Sequence, residues 1–285
     1  MLWEQLSAPA FKRAREQAAG VCILPFGVME SHGPHMPIGT DMIVARTIAA
    51  EAAKREPAVV FPDYYIGQLA GAQHIPGNIC VKHDVLLSTL DEVCREIGRN
   101  GFTKIVILNA HGGNPFLIKY FIQSTQQHPR DYVVYSVDIQ HEFMPAIRQL
   151  LASADDELTE TDRQVMADLI ASGYDTDHAG FLETALMLGI HPELVDMERI
   201  HDEDFRDQKR LSALGREGIY TAVGWYAGFP NNYAGNPTGA SERIGRGMLR
   251  YLIDCMARKL QVIKQDTHAV TLQKEYYSRW QPNQY

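Results

Sequence analysis

Residues 21–28 (VCILPFGV) are apolar without interruption over the length of one strand, so both faces of that strand must be covered by other parts of the chain. A polar loop rich in glycine and proline follows, and then a helical pattern over residues 41–55 (DMIVARTIAAEAAKR). The alternation returns with residues 58–65 as strand, 85–99 as helix, 104–110 (KIVILNA) as strand, 115–127 as helix and 132–138 (YVVYSVD) as strand. Strands apolar on both sides and separated by helices predict an α/β fold, a mainly parallel sheet flanked by helices on both faces. Residues 1–285 are expected to form a single domain.

Farther on, the acidic stretch 151–163 (LASADDELTETDR) reads as a solvated surface segment, with a lid over a site as the alternative. A helical pattern resumes over residues 181–188, a polar segment spans 196–217, and residues 224–239 (GWYAGFPNNYAGNPTG) are rich in turns. Residues 241–264 predict a long amphipathic helix whose Met248, Leu249, Leu252 and Met256 face a core. The balance of 27 Lys and Arg against 35 Asp and Glu, with no basic block, argues against nucleic acid or an anionic membrane as partner. Glu4, Lys12, Arg13, Arg15 and Glu16 interrupt the N-terminal stretch where a signal peptide needs an apolar core, so a cytoplasmic location is expected. Cys22, Cys80, Cys94 and Cys255 form no C-x-x-C pair and read as reduced small hydrophobes.

Chemistry concentrates in three segments. Glu30 and His32 follow the first strand two residues apart, a spacing that points both to one side of an extended chain. Asp41 opens the next helix and can serve as a cap or as a ligand; taken alone, the cap is favoured. Residues 109–114 (NAHGGN) place His111 at the carboxyl end of the KIVIL strand, where open parallel sheets hold their ligands. Residues 178–184 (HAGFLET) add His178 and Glu183, which diverge by roughly 140° on a continuous helix, so joint use requires His178 on the incoming loop, before Gly180. Buried charges need partners, and a metal centre supplies them. Two divalent cations sharing Asp41, one completed by Glu30 and His111 and the other by His32 and Glu183, fit a two-metal hydrolase that supplies hydroxide near neutral pH. Histidine and carboxylate ligands without thiolate suit zinc, manganese or iron. No H-E-x-x-H, Walker loop, G-x-G-x-x-G or G-x-S-x-G is present.

The segments ILPFGVMESHGPHMPIGTD, ILNAHGGN, HAGFLET and GNPTGAS, in this order over roughly residues 20–250, resemble the creatininase (creatinine amidohydrolase) family. The resemblance implies an α/β fold, a dinuclear metal site, hydrolysis of a cyclic or small amide bond other than a peptide bond, and a hexameric assembly. It implies Glu30, His32, Asp41 and His111 as metal ligands and His178 as the group that passes a proton to the departing nitrogen; Glu183 matches the family's late glutamate, is expected to complete the second metal shell in place of a carboxylate at position 113, and is counted with His178 as catalytic. The family also contains deformylases of formylaminopyrimidine nucleotides, a peptide-maturing protease and a ring-opening hydrolase of keto-inositols. Creatininase itself carries a glutamate where this chain has Gly113 and a tryptophan where it has Tyr174, which argues against creatinine as the substrate. A hydrolase of cyclic ketones and a non-catalytic protein stapled by metal are the alternatives. His74 and Tyr174 are candidate substrate contacts, with Trp225, Tyr226 and Phe229 as possible pocket walls. Asn109 and Asn114 are placed to orient His111. His35 reads as structural, bonded to the backbone of its own proline-rich loop, and His83, His128, His141, His191, His201 and His268 have no supporting neighbours.

Overall fold

Strand β1 (Val21–Phe26) is buried along its whole length, and its side chains divide by alternation between two cores. Val21 and Ile23 join Val106 and Leu108 on one side, while Cys22, Leu24 and Phe26 join Ile105 and Ile107 on the other. These contacts come from a computed structural model, which describes residues 1–173 and 177–279. The remaining strands are β2 (Val59–Val60), β3 (Lys104–Asn109) and β4 (Val133–Asp138), and all pair in parallel in the order β2-β1-β3-β4. The α/β fold read from the sequence is therefore present.

The expected strand over residues 58–65 is cut to two residues. Pro62 has no N–H to donate to the ladder, so the chain steps away and rejoins at Tyr64, whose N–H donates to Pro25 O at 3.2 Å. In chain order the helices are α1 (Ala8–Gln17), α2 (Thr40–Arg55), α3 (His83–Arg99), α4 (Pro115–Ser124), α5 (Phe143–Ala152), α6 (Glu160–Ala171), α7 (Phe181–Ile190), α8 (Ser212–Arg216), α9 (Gly224–Gly228), α10 (Glu242–Gln265) and α11 (His268–Arg279). Helices α1, α3 and α4 cover one face of the sheet; α2, α5, α7 and α10 build the core on the other.

Helix α10 packs chiefly against α7 and also touches α2 and α5. A Cβ at Gly245 would lie 1.7 Å from Ala185 O, so glycine is what lets α10 and α7 come this close. The far end of α10 is tied to the sheet by Lys104, whose Nζ donates to Ile263 O (2.7 Å), Lys264 O (2.8 Å) and Asp266 O (2.6 Å). A cation there also complements the carbonyl end of the helix.

The acidic stretch 151–163 is not simply solvated. Thr159 and Asp162 form a reciprocal cap on α6, and Asp162, 3% exposed, also accepts from Ser241 Oγ at 2.7 Å and Arg243 Nε at 2.7 Å. Ser241 and Arg243 lie some eighty residues away, beyond the reach of a local reading. The cysteines are free, with Cys22, Cys94 and Cys255 buried and Cys80 half-buried. Among the described residues, no helix is long and apolar enough to cross a membrane.

Candidate metal centre

The carboxyl ends of β1 and β3 lie side by side, Phe26 opposite Asn109, and the residues just beyond them enter one pocket. Glu30 and His32 come from the β1 exit and His111 from the β3 exit. Asp41 lies in the first turn of α2, whose cap position belongs to Gly39, so it is free for the pocket. The helix reaches the strand exit because Gly27 lacks a side chain: a Cβ there would sit 2.7 Å from the Asp41 carbonyl carbon. Glu183 lies in the first turn of the otherwise apolar α7. His178 is on the preceding loop, as joint use with Glu183 requires; the loop turns at Ala179, with φ 59°, and Asp177 Oδ2 accepts from Leu182 N at 3.0 Å.

Three overlapping groups have their ligand atoms within 4.8 Å of one another: Glu30, Asp41 and His111; His32, Asp41 and Glu183; and Glu30, His32 and His178. All six side chains are buried or nearly so. Asp41 belongs to the first two groups, with Oδ2 3.1 Å from His111 Nδ1 and Oδ1 3.2 Å from His32 Nε2. Glu30 Oε2 lies 3.0 Å from His111 Nδ1, and Glu183 Oε2 3.6 Å from His32 Nε2.

Backbone carbonyls orient both rings. His111 Nε2 donates to Gln68 O at 2.8 Å, and His32 Nδ1 donates to Glu30 O at 2.9 Å. In each neutral ring the other nitrogen is therefore a bare lone pair, and in each it faces carboxylate oxygens. Acceptors facing acceptors need either a proton or a cation between them. Glu30 Oε2, Asp41 Oδ2 and His32 Nε2 have no hydrogen-bond partner, so the donor set fits a divalent cation.

Protonation follows from the same crowding. Burial alone would raise Glu30, yet His111 and His178 pull its carboxyl down to about 2. Burial opposes charge on His32 too, but Asp41 and Glu183 lift it to about 10, and Glu30 and Asp41 hold His111 well above the imidazole range. Glu183 is pushed up to about 8 by burial, with Asp177 and Asp41 adding to the rise and His32 opposing it. Burial moves His178 the other way, below its ordinary value. Without a cation the pocket balances its carboxylates with imidazolium, a role a metal takes over without protons.

Supporting contacts are also in place. Asn109 Oδ1 accepts from His111 N at 3.2 Å, Asn114 Nδ2 donates to Asn109 Oδ1 at 3.1 Å, and Gln140 Nε2 reaches Glu183 Oε1 at 3.4 Å. His35 is buried but does not bond its own loop: its Nε2 meets Thr184 Oγ1 at 2.9 Å, because α7 packs directly over the loop. His74 is exposed and bonds Pro230 O at 2.7 Å, on the segment that carries Trp225 and Asn232. Tyr174 lies outside the described residues. Sequence reasoning missed Asn232, which is 1% exposed, with its amide 2.8 Å from Glu30 Oε1. Nothing local marks it, since it stands in a run of turn residues.

A parallel sheet with buried imidazole and carboxylate clusters at its strand ends defines an α/β protein with a candidate metal site. The family model for creatininase, creatinine amidohydrolase, matches residues 4–260, and the chain belongs to that family. It is 28% identical to a creatinine amidohydrolase of Pseudomonas putida over 204 residues, covering 65% of this chain and 70% of that one. A mycofactocin precursor peptide peptidase of Mycobacterium ulcerans is 25% identical, covering 83% of each chain. A 3-dehydro-scyllo-inosose hydrolase of Thermotoga maritima is 23% identical, covering 88% of this chain and 80% of that one. A solved manganese form of creatininase superposes with a TM-score of 0.73 at 22% identity, covering 93% of this chain and 99% of that one.

Proposed function

We propose that the chain is a hydrolase of a cyclic or small amide that works with two divalent cations. Glu30, Asp41 and His111 would hold one cation and His32, Asp41 and Glu183 the other, with Asp41 shared. The observation that carries this reading is the pair of ring nitrogens, His111 Nδ1 and His32 Nε2, that face carboxylates after backbone carbonyls have claimed the opposite nitrogens. Bound zinc, manganese or iron supplies Lewis acidity and acidifies a water near neutral pH. His178, the most exposed of the six at 9%, receives a proton at its imidazole and delivers it to the departing nitrogen. Burial favours its neutral form, ready to accept that proton. Gln140 and Ala179 N hold Glu183 in line through its two oxygens.

Creatinine is not the substrate we propose. Gly113 carries no carboxylate, and a Cβ there would lie 2.5 Å from His111 Nε2 and 2.9 Å from Gln68 O, leaving no room for a longer side chain without moving both. Opening of a cyclic ketone is the second reading, supported by the similarity to the Thermotoga hydrolase, 23% identical over 88% of the chain. Assembly into a hexamer belongs to the same proposal, and light scattering of the purified chain checks it.

The experiment is a metal-loaded chain assayed on parallel panels of cyclic amides and keto-inositols. Turnover of amides supports the first reading, and turnover of keto-inositols alone replaces it with the second. A loaded chain inert on both panels, with His178→Ala leaving fold and metal unchanged, favours a non-catalytic, metal-stapled protein.

A further inference from the structure

Asn232 sits in the left-handed backbone region, φ 54°, a conformation asparagine tolerates better than most side chains. The loop around it is fastened on both sides. Tyr233 is fully buried with its hydroxyl donating to Ile200 O at 2.9 Å, and Ala234 exchanges backbone bonds with His178 at 2.6 and 2.9 Å. The side chain of Asn232 therefore meets the pocket in a fixed place.

Which end of its amide faces the pocket is decided from outside. Trp225, on α9 and 36% exposed, donates its indole N–H to Asn232 Oδ1 at 2.6 Å. An indole nitrogen can only donate, so it accepts no other orientation of the amide. The NH2 group is thereby turned inward and donates to Glu30 Oε1 at 2.8 Å; it also lies 2.9 Å from His178 Nε2, a ring nitrogen that itself meets Ser31 O at 3.0 Å. Holding Oε1 of Glu30 leaves Oε2 aimed at His111 and Asp41. The Trp225 ring also stands edge-on to His178, with centroids 5.8 Å apart.

We propose that Asn232, with its amide set by Trp225, is a positioning residue that orients Glu30 for the proposed reaction. The inference rests on the metal-hydrolase reading, yet its first test needs no substrate. Calorimetric zinc affinity is compared for the wild-type chain, Trp225→Phe, Asn232→Ala, Asn232→Gly and the double variant Trp225→Phe with Asn232→Ala. Phenylalanine keeps a ring and removes only the donor, and glycine removes the amide without left-handed strain. Each single variant is expected to weaken zinc binding about tenfold or more. The double variant is expected to match Asn232→Ala, because both changes act through one amide. Once a substrate is in hand, kcat falls about tenfold with KM within about threefold of wild type. Wild-type zinc affinity in Trp225→Phe, additive losses in the double variant, or a change confined to KM would overturn the relay. A wild-type chain that binds zinc and turns over nothing would sink the proposed reaction alone, since affinity is read without it.

Discussion

Asp41 is the side chain on which the proposed pair of sites depends, because each carboxylate oxygen faces a different histidine. Asp41→Asn keeps the shape and removes the charge, so elemental analysis is expected to find both cations depleted, to below about one per chain. His111→Ala leaves the His32, Asp41 and Glu183 group intact and is expected to retain about one cation per chain. Two cations per chain in both variants would refute the shared position. Glu30 and His32 were legible because residues two apart on an extended exit share a side, and His111 because it ends an apolar strand. Asn232 was not, since its partner Glu30 is 202 positions away and the indole that fixes its amide is in a turn-rich run.

Helix pairs and caps explain how those side chains are held still. Gly245 lets α10 lie against the α7 backbone, so Gly245→Ala forces the two helices apart. Overpacking of that kind costs about 1–3 kcal/mol, to be read as a lower urea midpoint with the slope unchanged. Asp162 ties the start of α6 to the start of α10: burial alone would raise its carboxyl, but Arg243, Thr159 and Ser241 hold it well below the usual range. A carboxyl depressed in the folded state stabilises fully above its unfolded value, and the contribution disappears as pH falls through the folded one. Asp162→Asn is therefore expected to cost about 1–3 kcal/mol near neutral pH and progressively less at pH values below about 4. A constant difference between the two proteins across pH 2–7 would contradict this. At this level the sequence was most readable where burial is local and continuous, as in β1 and β3, and least where a distant partner changes the meaning of a segment. The short β2 follows from Pro62, and the buried Asp162 from Arg243, 81 residues on.

For the molecule as a whole, the pocket is a junction of the sheet, α2 and α7, so the proposed cations would hold all three together. Chelation is expected to lower the melting temperature, by the equivalent of about 2.7 kcal/mol where free metal had stood a hundredfold above its dissociation constant. Re-addition of zinc or manganese should restore it, and a melting curve indifferent to chelator would contradict the ligand assignment.

Donors to the pocket are spread from Glu30 to Asn232 along the chain, while the fastening of α7 waits on α10 and its Gly245. Glu30, Asp41 and His111 lie in the first half of the chain, whereas Glu183 and Asn232 lie in the second. The proposed second cation site, built from His32, Asp41 and Glu183, is therefore incomplete until the second half of the chain is present.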